Sequence, residues 1–128
     1  YAKIQRAKAA PNADDNAKQA IAEAGYKMFH LKPTIVAVSC LQDGDDTKNR
    51  EDYAAGCCAM QNGALAGWAE GVGMQWTTGP VTLEEETYEM LGIDKENEYI
   101  VGFMYTGYPE EIREGSRKKM GEVLRYTE

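Results

Sequence analysis

Side chains that commonly ligate metals or act as nucleophiles are scarce in this chain. It has three cysteines and a single histidine: Cys40, Cys57, Cys58 and His30. Cys57 and Cys58 are adjacent, so on a helix they would point about 100° apart and could not both face one metal ion. We therefore expect no zinc site, a small core side chain at Cys57 and a surface position for His30. A single histidine also argues against a Ser–His or Cys–His triad.

Two short motifs that often bind ligands are incomplete in this sequence. Gly71-x-Gly73 lacks the third glycine of a dinucleotide-binding fingerprint and follows a helical pattern instead of opening one. Asp43-x-Asp45 lacks the glycine that an EF-hand loop needs at its sharp turn. No acid–base pair emerges elsewhere, so we expect no catalytic side chain and no metal. Any enzymatic reactivity would then come from a bound cofactor.

Charge is distributed unevenly along the chain. The formal net charge is −7, and residues 33–112 hold three basic and fifteen acidic side chains. Such an acidic middle argues against a nucleic-acid groove, which needs a basic stripe. The last sixteen residues instead carry five basic side chains: Arg113, Arg117, Lys118, Lys119 and Arg125. This basic tail is either a solvated helix face or the holder of one small anion.

Length and composition indicate one globular domain over residues 1–128. Hydrophobic residues make up 43% of the 128 residues and charged residues 27%, which is typical of an ordinary folded protein. No apolar run approaches the roughly 20 residues that a membrane-spanning helix requires. The odd number of cysteines does not form a disulfide framework, which favours a reducing, cytoplasmic location.

Helical and strand patterns alternate along the chain. The first helix is expected to begin with Asn12 as its cap and to end at Gly25. The β-branched run Thr34–Ser39 and the apolar run Tyr99–Tyr105 predict two buried strands. A capping box of Thr82 and Glu85 would start a helix ending before Gly92, and a short basic helix would span about 116–125.

The strongest helical pattern covers residues 51–70. Apolar side chains recur in it at spacings of three and four residues: Tyr53, Cys57, Met60, Ala64 and Trp68. Its other faces carry only small or uncharged residues. We expect this helix to lie in the core and to be buried on most sides.

Six short sequence motifs lie in this helix and in the segments after it. They are Glu51–Gly56, Met60–Ala66, Glu70–Gly79, Leu91–Ile93, Ile100–Phe103 and Gly107–Pro109. In this order they resemble the central block of the FMN-dependent nitroreductase family, over roughly residues 33–126. The resemblance implies an α+β fold, with a central sheet flanked by helices, that forms a homodimer with FMN at its interface. The family's N-terminal phosphate-binding segment has no counterpart here, so the domain is expected to be partial at its N-terminus.

The same resemblance assigns roles to specific residues. The loop Trp76, Thr77, Thr78 and Gly79 would lie along the flavin, with a backbone N–H of Thr78 or Gly79 facing N5. Arg117 would pair with the FMN phosphate. From the residues alone, Trp76 is equally compatible with a plain core aromatic.

The implied function is that of an oxidoreductase. Hydride would pass from NAD(P)H through flavin N5 to a small acceptor such as a nitroaromatic, a quinone or an enone. The alternative is a non-catalytic flavin-binding or dimerisation module with the same fold.

Overall fold

A computed structural model describes residues 12–112 and 114–126. The first half of this part contains helix α1 (Asp15–His30), strand β1 (Thr34–Leu41), helix α2 (Asp46–Ala69) and strand β2 (Gly73–Thr77). A 3₁₀ turn (Pro80–Thr82), helix α3 (Glu85–Leu91), strand β3 (Glu98–Gly107) and helix α4 (Met120–Val123) follow. None of the helices in these residues is long and apolar enough to span a membrane.

The three strands form one antiparallel sheet in the order β1-β3-β2. β3, the last strand in sequence, is therefore central, and β1 and β2 are its edges. Thr77, the end of β2, pairs with Phe103. Between β1 and β3 the pairs Val38–Gly102 and Ser39–Ile100 leave Val101 as an extra residue, a β-bulge.

The core consists of one apolar cluster on each face of the sheet. On one face Tyr88 of α3 packs with Ile100, Phe103 and Tyr105 of β3, and Phe29 of α1 lies against them. On the other face Met60 of α2 packs with buried side chains of β3, Val101 and Met104. The alternation of side chains along β3 serves both clusters, which explains why residues 100–105 are all buried.

The ends of α1 differ from the expectation for two reasons. Asp14, not Asn12, is its cap, because the Asp14 carboxylate accepts the Ala17 N–H at 2.8 Å. The helix also continues past Gly25, which is buried and lacks the positive φ of a helix-ending glycine. It ends at His30, shortly before Pro33, which disfavours helical backbone in the residue before it.

Helix α2 begins five residues earlier than the apolar pattern predicts. The Asp45 carboxylate accepts the N–H groups of Thr47 and Lys48 and so caps a first turn made of polar residues. The expectation that α2 is buried on most sides is wrong for this chain alone. Gly56 and Met60 are its buried residues, and most of its length is exposed.

Three further sequence predictions need correction. Thr82 and Glu85 form no capping box: α3 begins at Glu85 after Glu84, with no side-chain cap, although Gly92 ends it with φ +67° as expected. The basic helix is reduced to Met120–Val123, which buries no residue and so lacks the packing that sustains longer helices. β1 is only half-buried because it is an edge strand.

Candidate functional site

The loop that follows β2 leaves the sheet at its edge. Thr78 is exposed, and in the described part of the chain neither Thr78 nor Gly79 donates its backbone N–H to an acceptor. Gly79 adopts φ +128° and ψ −171°, a backbone conformation that is essentially restricted to glycine. A Cβ built on Gly79 would meet no atom within 4 Å. The loop therefore presents uncommitted N–H groups beside open space.

Trp76 packs partly against the central strand. A Cβ on Gly102 would clash with the indole Nε1 of Trp76 and would lie 2.9 Å from the Thr77 carbonyl oxygen. The absence of a side chain at Gly102 thus lets the indole lie close to β3. Trp76 remains 39% exposed, so its ring is neither a plain core aromatic nor a free surface side chain.

Hydrogen bonds from the 3₁₀ turn hold the end of the loop at Gly79. The Gly79 carbonyl accepts both the Thr82 N–H and the Thr82 hydroxyl, each at 2.9 Å. The Thr87 hydroxyl donates to the Val81 carbonyl at 2.7 Å. Thr82 and Thr87 are buried. The role of Thr82 is not evident from sequence, because a threonine before a helix is the usual sign of a cap.

The hydroxyl of Tyr88 joins this turn to the sheet. It accepts the Ile100 N–H at 2.9 Å and donates to the Thr82 carbonyl at 3.2 Å. Tyr88 was not among the residues predicted from the sequence to be functional. The one available signal was a tyrosine at an otherwise apolar helix position, since a buried tyrosine hydroxyl usually has a partner.

Arg117 lies outside the helices and strands and is exposed to solvent. It is exposed in the irregular segment between β3 and α4, and no residue in the described part of the chain forms an ion pair or hydrogen bond with it. The structure therefore brings Trp76, Thr77, Thr78 and Gly79 together as one loop and shows no contact between that loop and Arg117.

Two clefts flank the sheet. A cleft of about 420 Å³ lies between α1, α3 and the sheet, with Phe29, Ile35, Val81 and Phe103 among its walls. Val81, which lines this α1–α3 cleft, belongs to the 3₁₀ turn that directly follows Gly79. His30, at its rim, is exposed and stacks on Tyr26 with ring centroids 5.0 Å apart.

The second cleft, of about 380 Å³, lies where β2 starts and β3 ends. Lys32, Gln75 and Tyr108 are among the residues that line it. Neither cleft is lined by Gly79 or Arg117.

Cys40 and Tyr99 lie where β1 and β3 meet the first turns of α2, and both have raised pKa values. Burial raises the pKa of the Cys40 thiol, whose Sγ donates to the Asp52 carbonyl at 3.3 Å. Burial, together with the nearby Cys40, raises the pKa of Tyr99 to about 12. Both groups stay neutral near pH 7 and act as hydrogen-bond donors to α2. Within the described residues, no three His, Cys, Asp or Glu side chains group as metal ligands.

The chain is similar in sequence and in fold to nitroreductases. Residues 2–108 match the model of the family described as "Nitroreductase family". A curated relative, the putative NAD(P)H nitroreductase YfhC from Bacillus subtilis (strain 168), is 29% identical over 86 residues, which cover 67% of this chain and 44% of that protein. The match thus spans less than half the length of that relative.

A solved structure has a similar fold over nearly the whole chain. It is the crystal structure of a nitroreductase-like family protein from Bacillus cereus, with a TM-score of 0.77 and 26% sequence identity. The match covers 98% of this chain and 68% of that one. Together with the small antiparallel sheet and its flanking helices, this likeness confirms the α+β, nitroreductase-like fold.

Proposed function

The chain belongs to the nitroreductase family, and from that membership we propose that it is an FMN-dependent oxidoreductase. The observation that carries the proposal is the loop after β2. It offers the N–H groups of Thr78 and Gly79 without an acceptor and leaves open space beside Gly79. Both features suit a flat ring that carries hydrogen-bond acceptors. The residues present therefore fit the flavin.

Each residue of the loop has a distinct task in this proposal. The N–H of Thr78 or Gly79 would donate to N5 of the oxidised ring, which makes this atom a better acceptor of electrons. Gly79 allows the backbone to approach because it has no side chain. Trp76, held over Gly102, forms the wall at the start of the loop. Arg117 supplies a guanidinium fork for the phosphate.

No side chain of the loop is required to transfer a proton. When bound, FMN supplies the two-electron chemistry that links oxidation of NAD(P)H to reduction of a nitroaromatic, a quinone or an enone. The chain binds and orients the ring, and the uncommitted N–H groups tune it. The substrate is then a small molecule that takes the place of the nicotinamide.

We also propose that the protein works as a homodimer. The reason is α2: residues 53–69 contain no Asp, Glu, Lys or Arg, yet Leu65 is 60% exposed and Trp68 is 51% exposed. An uncharged, exposed helix face favours contact with another protein surface over contact with water.

Flavin binding tests the proposal directly. The purified protein is titrated with FMN while the quenching of flavin fluorescence is followed, and the complex is then mixed with NADH or NADPH without oxygen. We expect a saturable complex whose absorbance near 450 nm bleaches. A bound flavin that neither nucleotide bleaches would favour the non-catalytic flavin-binding module. An absence of FMN binding would contradict the proposed function.

The phosphate contact predicts the effect of one variant. Arg117→Ala should weaken FMN binding by about 1.5–3 kcal/mol, or roughly 10- to 150-fold, the usual range for a charge-assisted hydrogen bond. Arg50→Ala is the matched control, because Arg50 is an exposed arginine in the first turns of α2. Equal FMN affinities for the two variants would remove Arg117 from the site.

A further inference from the structure

Tyr88 links the 3₁₀ turn to the central strand through hydrogen bonds of its side chain. It is 3% exposed, and its hydroxyl both accepts and donates a hydrogen bond. The hydroxyl oxygen accepts the Ile100 N–H. Ile100 lies in the part of β3 that does not pair with β2, whose last pair is Thr77–Phe103. The donor side goes to the Thr82 carbonyl. A tyrosine hydroxyl used in both ways has a fixed direction.

The connection continues from Thr82 to the loop. Thr82 donates its N–H and its hydroxyl to the same Gly79 carbonyl oxygen, each at 2.9 Å. These two bonds fix the carbonyl of Gly79, a residue at φ +128° whose backbone no side chain of its own restricts. The hydrogen-bonded series therefore runs from Ile100 through Tyr88 and Thr82 to Gly79.

We propose that Tyr88 is a positioning residue for the flavin-binding loop. Its hydroxyl holds the 3₁₀ turn and, through Thr82, the Gly79 carbonyl. It thereby limits the orientations open to the adjoining Thr78–Gly79 peptide group, whose N–H would point at the flavin ring. This inference rests on the proposed binding of FMN by that loop. Since N5 accepts a hydrogen bond in the oxidised ring and itself carries a hydrogen in the reduced ring, Tyr88 would set the relative affinity for oxidised and reduced FMN from a position that does not touch the flavin.

A purely structural role for Tyr88 gives a different expectation. Its ring packs with Ile100, Phe103 and Tyr105, and the Lys95 ammonium lies 5.2 Å from its centroid. Tyr88→Phe keeps this packing and removes the hydroxyl alone. If only packing matters, the variant changes stability without changing the loop or the properties of bound flavin.

Two readouts on Tyr88→Phe distinguish these roles. The first is hydrogen exchange in the flavin-free protein at the amides of Thr82 and Leu83, which donate within the 3₁₀ turn. Exchange there should be at least about threefold faster, on the scale of one lost hydrogen bond. The second is the ratio of the FMN dissociation constants for the reduced and the oxidised forms. This ratio should fall by about three- to tenfold, again on the scale of one hydrogen bond, because the oxidised form is the one that loses the aligned N–H donor.

Tyr99→Phe is the matched control. Tyr99 also donates its hydroxyl to a backbone carbonyl, that of Asn49 at 3.3 Å, but on the α2 face of the sheet. We expect wild-type values of both readouts for this variant. Thr82→Val, which removes the second donor to Gly79 while keeping the side-chain shape, should reproduce the effects of Tyr88→Phe and replaces it if that variant does not fold.

The outcomes separate the inference from the proposed function. A wild-type ratio of dissociation constants in Tyr88→Phe and Thr82→Val overturns the positioning role while FMN binding stands. Unchanged exchange at Thr82 and Leu83 also overturns it. Failure of the wild-type protein to bind FMN overturns the proposed function and the positioning role with it, whatever the exchange rates.

Discussion

Gly79 shows how a single residue can be required by the backbone independently of any ligand. Its φ of +128° lies where side-chain-bearing residues are strained, although a Cβ at this position would meet no atom of the described chain. The reason to keep glycine here is therefore conformational, and intrachain crowding plays no part. A substitution at Gly79 should perturb folding first and flavin binding second.

Gly79→Ala should lower the free energy of unfolding by about 1–3 kcal/mol, the usual cost of a strained backbone conformation. Gly115→Ala is the matched control: Gly115 also has open space around it, but its φ is not positive. For this control we expect a change within about 0.5 kcal/mol. Urea unfolding of both variants measures the difference, and equal stabilities would contradict the strain at Gly79.

Residue roles could be predicted from sequence only where one residue type has one dominant use. Gly92 was placed correctly at the end of α3 because a helix-ending glycine needs nothing but its own backbone. Thr82 was misplaced because its hydroxyl can cap a helix or donate backwards, and here it donates to the Gly79 carbonyl. The part played by Tyr88 depends on a strand twelve residues away, which no local pattern reports.

At the scale of elements, the position of α2 depends on the absence of a side chain at Gly56. A Cβ there would lie 2.7 Å from the Cys40 Sγ and 3.2 Å from Val101 Cγ2. Cys40 cannot turn aside without losing its hydrogen bond to the Asp52 carbonyl. Gly56 therefore lets the helix approach the sheet closely, as expected for a small residue at a helix contact.

Gly56→Ala should lower the free energy of unfolding by about 1–3 kcal/mol, because overpacking outweighs the better helix propensity of alanine. Cys40→Ala removes the atom that would clash, so the double variant should lose less stability than the sum of the two single variants. Gly63→Ala, in the same helix but with open space around it, should instead raise stability by about 0.5–1 kcal/mol. Additive effects at Gly56 and Cys40 would disprove the close contact.

The presence of a helix or strand was easier to predict than the residues at which it begins and ends or the extent of its burial. β1 and β3 were found because β-branched and apolar runs bounded by turns leave few alternatives, and each extends only one or two residues beyond the predicted ends. β2 was not predicted as a strand. The start of α2 was missed because its first turns are polar and are fixed by the Asp45 cap. Its burial was overestimated because an apolar pattern does not say which chain covers it.

At the scale of the whole molecule, apolar surface exceeds what one chain covers. No side chain is less than 2% exposed among the described residues, while Leu65, Trp68 and Met90 are each at least half exposed. A three-stranded sheet with one long helix on one face buries a small core. An interface of about 800 Å² per partner, typical of stable complexes, would cover a surface of this kind.

We predict a homodimer with the exposed side of α2 at its interface. Sedimentation at micromolar concentration should give about 28 kDa, twice the 14.2 kDa of one chain. Leu65→Glu should shift the protein toward monomers, because it places a charge in an uncharged, apolar contact. Leu83→Glu is the control, since Leu83 is 70% exposed but lies beside α3, away from α2. Its mass should equal that of the wild type. A wild-type protein that sediments as a monomer would contradict the predicted dimer. A dimer that Leu65→Glu leaves intact would instead place the interface elsewhere, and the uncharged face of α2 would then have no explanation.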